Sequence, residues 1–419
     1  MTMPAARDGR RLLWSALLLA VALNAAYGGL GGIVIPSQVA LVDESRKEVG
    51  LAVVMTSSSL VTLVVSPWVG ALSDRTRSRW GRRSPWILGA AVAAVPAVLS
   101  LGWATSVLGL TLGWVAAQAL LNAVQSPFEA AVADGVDRRQ RGRAGSFLGV
   151  GVAAGLALGV VWAARLVDRP VLATGALAGL VLVAAVVFVR QTSSGAALEG
   201  AVPEAALVGS AAGATPRAST VVATLVSLWR HDDFRRVFVG RFALVLGNQM
   251  ISSYMLFILM DHVGLTRTEA AAQASLVVGV HTVCLGVGAA LTGRWTDRLG
   301  RRKPFVVVST VVVAAALVVP LVSPTVGAVL VYAVVAGLGR GVYLAVDTAL
   351  MIDVLPEALT TGRDLAVLGL AQVLPQTLAP VVAALLLSAT GGAYEGLFVL
   401  AIALVLVSLV PVLRIRGVA

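Results

Sequence analysis

Apolar runs of about 20 residues, the length that crosses the hydrocarbon of a bilayer, recur twelve times along the chain. They cover 12–36, 49–72, 85–105, 107–133, 144–164 and 170–189, and then 234–260, 271–293, 304–323, 326–352, 364–388 and 394–413. Each run predicts a transmembrane helix, so the fold class is an all-α polytopic membrane protein. The polar interval between the two sets holds Ser193, Ser194, Gly195, Gly200, Gly209, Gly213 and Pro216, a composition that keeps a linker flexible. It divides the chain into an N-terminal six-helix bundle (1–190), a cytoplasmic linker (191–233) and a C-terminal six-helix bundle (234–419). The end of the linker, Thr220 to Phe234, reads as a short interfacial helix. The first run follows Arg7, Arg10 and Arg11 in the manner of a signal peptide. It is too long for one and has no cleavage site before Pro36, so it is expected to be a retained span.

Composition excludes the soluble alternatives. Of 419 residues, 58% are hydrophobic and 13% charged, whereas a soluble surface calls for roughly 25% charged residues. The 43 glycines suit helices packed closely in lipid. Cys284 is the single cysteine, which rules out an intrachain disulfide and a Cys-based metal site. All but Lys47 and Lys303 of the basic residues are arginine, a bias that points to a GC-rich bacterial source and hence to a bacterial cytoplasmic membrane.

The net charge of +11 raises the question of a nucleic-acid partner, and the placement of the charges answers it. Of 32 Lys and Arg residues, Arg46, Lys47, Arg165, Arg169 and Arg267 fall in loops on one side, and Arg241 and Arg340 fall within spans. The other 25 fall on the opposite side. Basic loops stay in the cytoplasm, so both termini are expected inside. The charge is then a topology signal that faces anionic lipid, and no nucleic acid is needed to explain it.

The two bundles repeat a motif. After the second span the chain reads Gly70-Ala-Leu-Ser-Asp74-Arg75, then Gly81-Arg82-Arg83-Ser84-Pro85-Trp86. After the eighth it reads Gly293-Arg-Trp-Thr-Asp297-Arg298, then Gly300-Arg301-Arg302-Lys303-Pro304-Phe305. Glycine lets two helices approach, and Asp accepts hydrogen bonds at a helix N-terminus. The Arg pair offers forked donors to carboxylates, and Pro opens the next helix. A basic loop that only fixes topology would not need this order twice.

The paired motif, with twelve spans and a central linker, resembles the signature inner loop of the major facilitator superfamily. The longer first copy, Ser73-Asp74-Arg75-Thr76-Arg77-Ser78-Arg79-Trp80-Gly81-Arg82-Arg83, is similar to the glycoside–pentoside–hexuronide and sucrose–proton symporter branch. So are Tyr343-Leu-Ala-Val-Asp347, Asp353-Val-Leu-Pro356, Gly362-Arg363-Asp364-Leu365, Leu374-Pro375-Gln376 and Gln125-Ser-Pro127. Three positions depart from the branch. Ser84 stands where a third Arg is usual, Arg340 where an apolar residue is usual, and the second span has no Asp. Sodium-coupled melibiose-type members carry cation-binding acids in that span, so the departure favours proton coupling. The resemblance implies alternating access by two bundles, a cavity lined by spans one, four, seven and ten, and inner salt bridges that close the cytoplasmic face. Asp134 and Asp353, at equivalent inner ends, are expected to bridge to the Arg motifs.

The strongly polar residues inside the spans are few. They are Asn24; Gln118, Asn122, Gln125 and Glu129; Arg241, Asn248 and Gln249; His281; Arg340 and Asp347; and Gln372 and Gln376. Intramembrane charges are expensive and are paired or functional. Gln118, Asn122, Gln125 and Glu129 form one helical stripe, as do Arg340, Tyr343 and Asp347. Together with Tyr27 these residues predict a cavity for a small, hydroxylated, sugar-like solute. At 1.5 Å per residue, Asp347 lies about 9 Å from the inner end, Arg241 roughly 10 Å and Arg340 about 20 Å. Arg241 and Asp347 are therefore at one level and can pair. Asp347 is a proton-coupling or solute-binding residue, or else a structural partner of Arg241 or Arg340. Glu129 is a gate residue or a second proton site. Arg340 is expected to hold Asp347 or an anionic solute, and His281 to pack. The function expected is a secondary active transporter for a small polar solute, coupled to protons and acting as a monomer. Proton-driven efflux of a drug or natural product shares the same fold and motif. The chain has no nucleotide-binding loop, metal cluster or acid-rich catalytic motif, so no enzyme activity, cofactor or metal is expected.

Overall fold

The computed structural model describes residues 5–78, 80–136, 141–193, 229, 232–299, 303–353 and 362–414. It is helical throughout. The chain divides into two compact units, Met1–Thr215 and Pro216–Ala419.

In the first unit the spans are α1 (Arg11–Val42), α2 (Glu44–Arg75), α3 (Ser84–Trp103), α4 (Val107–Gly135), α5 (Ala144–Arg165) and α6 (Pro170–Thr192). In the second, α7 is a bent pair, Phe234–Ser253 and Met255–His262. It is followed by α8 (Arg267–Leu299), α9 (Lys303–Val322), α10 (Val326–Asp353), α11 (Gly362–Ala389) and α12 (Tyr394–Leu413). Eleven of the described helices are long and apolar enough to cross a membrane, and the bent pair makes twelve. Most of the expected interfacial helix, Thr220 to Phe234, lies outside the described residues.

Two of the described helices widen into π turns, and for α1 the reason is local. Leu30–Val34 widens into a π turn just before Pro36. Proline has no N–H for the carbonyl four residues back, and its ring crowds that carbonyl, so the turn expands. In α7 the break falls at Tyr254, with a bend of 52° and a π turn at Ile258–His262. The fully buried Tyr254 ring holds the break, its hydroxyl donating to the Pro380 carbonyl of α11 at 3.0 Å.

The two units pack alike. In the first, α1 lies against α5 and α6, α2 against α4, and α3 against α4 and α6. In the second, α7 lies against α11 and α12, α8 against α10, and α9 against α10 and α12. Lipid gives helices no hydrophobic drive to associate, so close backbone approach must supply the attraction. Glycine provides it at α1–α5, where a Cβ on Gly159 would strike the Ala25 carbonyl. It does the same at α8–α10, where one on Gly341 would strike the Leu285 carbonyl.

Candidate functional site

The inner loop between α2 and α3 is the first part of the site. Gly81 takes φ +88°, a conformation other residues rarely adopt, and the turn aims Arg83 back at α4. Arg83 Nη2 lies 2.8 Å from Asp134 Oδ2 and 3.4 Å from Asp74 Oδ1, while Arg82 Nη2 is 3.8 Å from Asp134. The Arg83 side chain is only 14% exposed. Burial pulls its guanidinium below its ordinary value, and the carboxylates of Asp134 and Asp74 oppose that shift. Gly70 brings α2 against α4, since a Cβ there would meet Ser126 Oγ at 3.1 Å. Trp86 Nε1 donates to Thr76 Oγ1 at 2.8 Å and ties the start of α3 to the end of α2. Arg75 is exposed.

The second motif copy is described in part. Gly293, Asp297 and Arg298 lie on the last turns of α8 and Asp353 ends α10, but the side-chain surroundings of these four lie outside the described residues. Gly300, Arg301 and Arg302 lie outside them altogether.

Within the spans of the second unit, three helices converge on one carboxylate. Asp347 is almost fully buried, and Tyr343, one turn earlier on α10, donates its hydroxyl to Oδ1 at 2.7 Å. Arg241 of α7 places Nη1 3.0 Å from Oδ2. That contact is an ion pair by distance, with an angle outside hydrogen-bond geometry. Arg241 Nη2 also donates to Gln372 Oε1 of α11 at 3.3 Å. Arg340 does not join. Its expected partner Asp347 faces Arg241 instead, and among the described residues no carboxylate lies within ion-pair distance of it. The reason is depth: Arg340 and Asp347 share a face but sit two turns, about 10 Å, apart, whereas Arg241 meets Asp347 at its own level. His281 hydrogen-bonds the Ala333 backbone.

The remaining amides do not form one wall. Asn248 is buried and donates to the Leu244 carbonyl of its own helix, and Gln249 reaches Ser253 Oγ at 3.4 Å. Asn24 donates to the Ala20 carbonyl at 2.9 Å. Gln376 is exposed, away from the Gln372 contact. Asn122 is engaged with α2: Ser66 Oγ donates to Asn122 Oδ1 at 3.1 Å, and Asn122 Nδ2 reaches Thr62 Oγ1 at 3.3 Å. Sequence reasoning missed Thr62 and Ser66 because it surveyed amides and charges. Ser58, Thr62 and Ser66, four residues apart, were the available signal. Further along α4, Gln125 Nε2 donates to Glu129 Oε1 at 2.7 Å. Among the described residues, three buried polar atoms of α1 and α4 have no hydrogen-bond partner: Tyr27 Oη, Trp114 Nε1 and Gln118 Oε1.

A second feature missed from sequence closes the C-terminal end of α7. His262 donates from Nε2 to the Pro320 carbonyl of α9 at 3.0 Å, with Glu395 of α12 3.7 Å from Nδ1. Tyr394 donates to Asp261 Oδ2 at 2.8 Å. Pro320 has an idle carbonyl because residue 324, which would normally donate to it, is also proline.

Twelve membrane-crossing helices in two six-helix units with the same packing, and buried charges among them, define a multi-pass membrane carrier. The model of the Major Facilitator Superfamily matches residues 14–271 and 237–418, and the chain belongs to that superfamily: it is a transporter and not an enzyme. Among solved structures, the bacterial homologue of the human lysosomal transporter Spinster, inward-facing and unoccupied, superposes with a TM-score of 0.74 at 14% identity over 99% of both chains. The nucleoside transporter NupG gives 0.73 at 9% identity, over 96% of this chain and 99% of that one. Likeness at such identities is likeness of fold. Among curated proteins, an uncharacterised symporter of Synechocystis sp. (strain ATCC 27184 / PCC 6803 / Kazusa) is 53% identical over 36 residues, which are 9% of this chain and 7% of that protein.

Proposed function

We propose that the protein is a proton-coupled secondary transporter that moves a small polar solute of the sugar or glycoside class across a bacterial cytoplasmic membrane by alternating access. Both termini are cytoplasmic and the monomer is the working unit. The observation that carries this reading is the buried Arg241–Asp347–Tyr343 cluster, with Gln372 as a further ligand of the arginine. A carboxylate in hydrocarbon is held ionised only by such partners. Protonating Asp347 removes the charge that holds Arg241, so α7 and α11 are released from α10, and the state of the bundle follows the proton. Glu129, bonded to Gln125, is the second candidate on the same grounds. The unpartnered Tyr27 hydroxyl, Trp114 N–H and Gln118 carbonyl supply both donors and acceptors, which suits a hydroxylated solute better than an apolar one. Arg83 with Asp134 and Asp74 forms the inner gate.

Two measurements test the reading. A thermal-shift screen of the purified protein against sugars, glycosides and amphipathic drugs should show stabilisation by members of the first two groups. Stabilisation by lipophilic cations alone would replace uptake with drug efflux. In proteoliposomes, solute accumulation should follow an imposed pH gradient in the wild type and be lost in Asp347→Asn. Accumulation by Asp347→Asn with unchanged pH dependence would remove Asp347 from the coupling role.

A further inference from the structure

Arg340 sits near the middle of α10. From Val326 to Arg340 is about 21 Å of helix and from Arg340 to Asp353 about 20 Å, so neither membrane surface is within snorkelling reach of its side chain. A guanidinium stays charged in a protein, and a midplane charge needs an opposite charge or a strong hydrogen-bond acceptor.

Among the described residues of its unit, no carboxylate pairs with it. The groups that act on Arg340 electrostatically are Tyr332 and Tyr343 of its own helix and His281 of α8, none of which is an anion at neutral pH. Tyr343 already donates its proton to Asp347. Asp347 lies seven residues, about 10 Å, further in and faces Arg241. Every other acid of the unit falls at the end of a span or in a loop along the sequence. Asp261, Glu269 and Glu395 are at helix ends, where Tyr394, Thr266 and His262 meet them. Asp232, Asp233, Asp297, Asp353, Glu357 and Asp364 are on the cytoplasmic side in the sequence. Asp364, on α11, is eight residues inward of Gln372, which is itself level with Arg241. It is therefore roughly 20 Å from the level of Arg340.

We infer that Arg340 is the recognition point for an anionic group on the transported solute, a carboxylate or a phosphate, which the planar fork of a guanidinium takes in bidentate fashion. The inference rests on the transport reading and deepens it: the polar solute is an acid. The same charge works against the efflux alternative, because a half-buried arginine repels a lipophilic cation. Arg340 and Arg241 thereby divide the labour, one binding cargo and the other holding Asp347.

The test compares matched neutral and anionic probes on the purified full-length protein: galactose with galacturonate, and glycerol with glycerol 3-phosphate. The expected result is that at least one anion stabilises the wild type while its neutral counterpart does not. Affinity should fall at least tenfold in Arg340→Met and by less in Arg340→Lys. Carboxylate-only and phosphate-only responses distinguish the two acid classes. Without probe, Arg340→Met should unfold at a higher temperature than the wild type, since a half-buried charge with no carboxylate partner among the described residues has been removed. Equal response to both members of each pair, no response to either anion, retained anion affinity in Arg340→Met, or a lowered unfolding temperature in that variant without probe each overturns the inference. If the methionine variant does not fold, that too marks Arg340 as structural and overturns it. Failure of the transport reading is recorded separately, as anion binding without exchange in proteoliposomes.

Discussion

Arg241 and Asp347 meet at 3.0 Å inside the second unit, with side-chain exposures of 16% and 3%. The arginine stands on α7 and the aspartate on α10. Removing one partner of such a pair leaves a charge stranded. Arg241→Gln should therefore destabilise the purified protein by about 3–5 kcal/mol, and Arg241→Gln with Asp347→Asn should recover a large part of the loss. A thermal or denaturant unfolding comparison of the two single variants and the double checks this. A double variant as unstable as the sum of the singles would mean that the pair is not a unit.

The inner gate should behave differently. Asp134 and Asp74 are nearly half exposed, and exposed ion pairs contribute about 0.2–1 kcal/mol. Asp134→Asn should lower transport while moving the unfolding temperature by little, and should exceed Asp74→Asn in effect because its contact with Arg83 is shorter. Initial rates in proteoliposomes, set beside unfolding temperatures, separate the two effects.

The latch at the C-terminal end of α7 predicts a local loss. His262→Ala strands the Pro320 carbonyl, at a cost of about 1–3 kcal/mol for a buried acceptor. Hydrogen exchange should speed up in Met255–His262 and in the last turn of α9, with α10 and α11 unaffected. Uniform loss of protection across the unit would show a general core role instead.

Glycine contacts supply a contrast. Gly341→Ala places a Cβ against the Leu285 carbonyl, whereas Gly279→Ala on α8 meets nothing within 4 Å. The first should lower folded yield and unfolding temperature. The second should be neutral or raise stability by up to about 1 kcal/mol, through helix propensity.

Much of this architecture was legible in the residues. Span order follows from the apolar runs. The pairing of Arg241 with Asp347 follows from helix rise, because depth along each helix is fixed by counting residues. What counting does not give is azimuth. Sequence could place Arg340 and Asp347 on one stripe but could not tell that the stripe faces α7 at Asp347. Nor could it tell that Asn122 turns toward Thr62 and Ser66 of α2. The break at Tyr254 was invisible for another reason: no proline or glycine marks it, and it is held by a hydroxyl reaching a carbonyl on a distant helix. The His262 latch left one trace, since Pro320 and Pro324 together announce a carbonyl in need of a donor.

The glycine seams carry one more consequence. Packing partners repeat between the units, but the closest approaches made at glycine do not. In the first unit they join α1 to α5, through Gly28, Gly155 and Gly159, and in the second they join α8 to α10, through Gly288, Gly337 and Gly341. The two units are thus seamed along different helix pairs. A chimera that exchanges equivalent helices between the halves would preserve topology and lose fit, so a substitution tolerated in one half is no guide to its counterpart in the other.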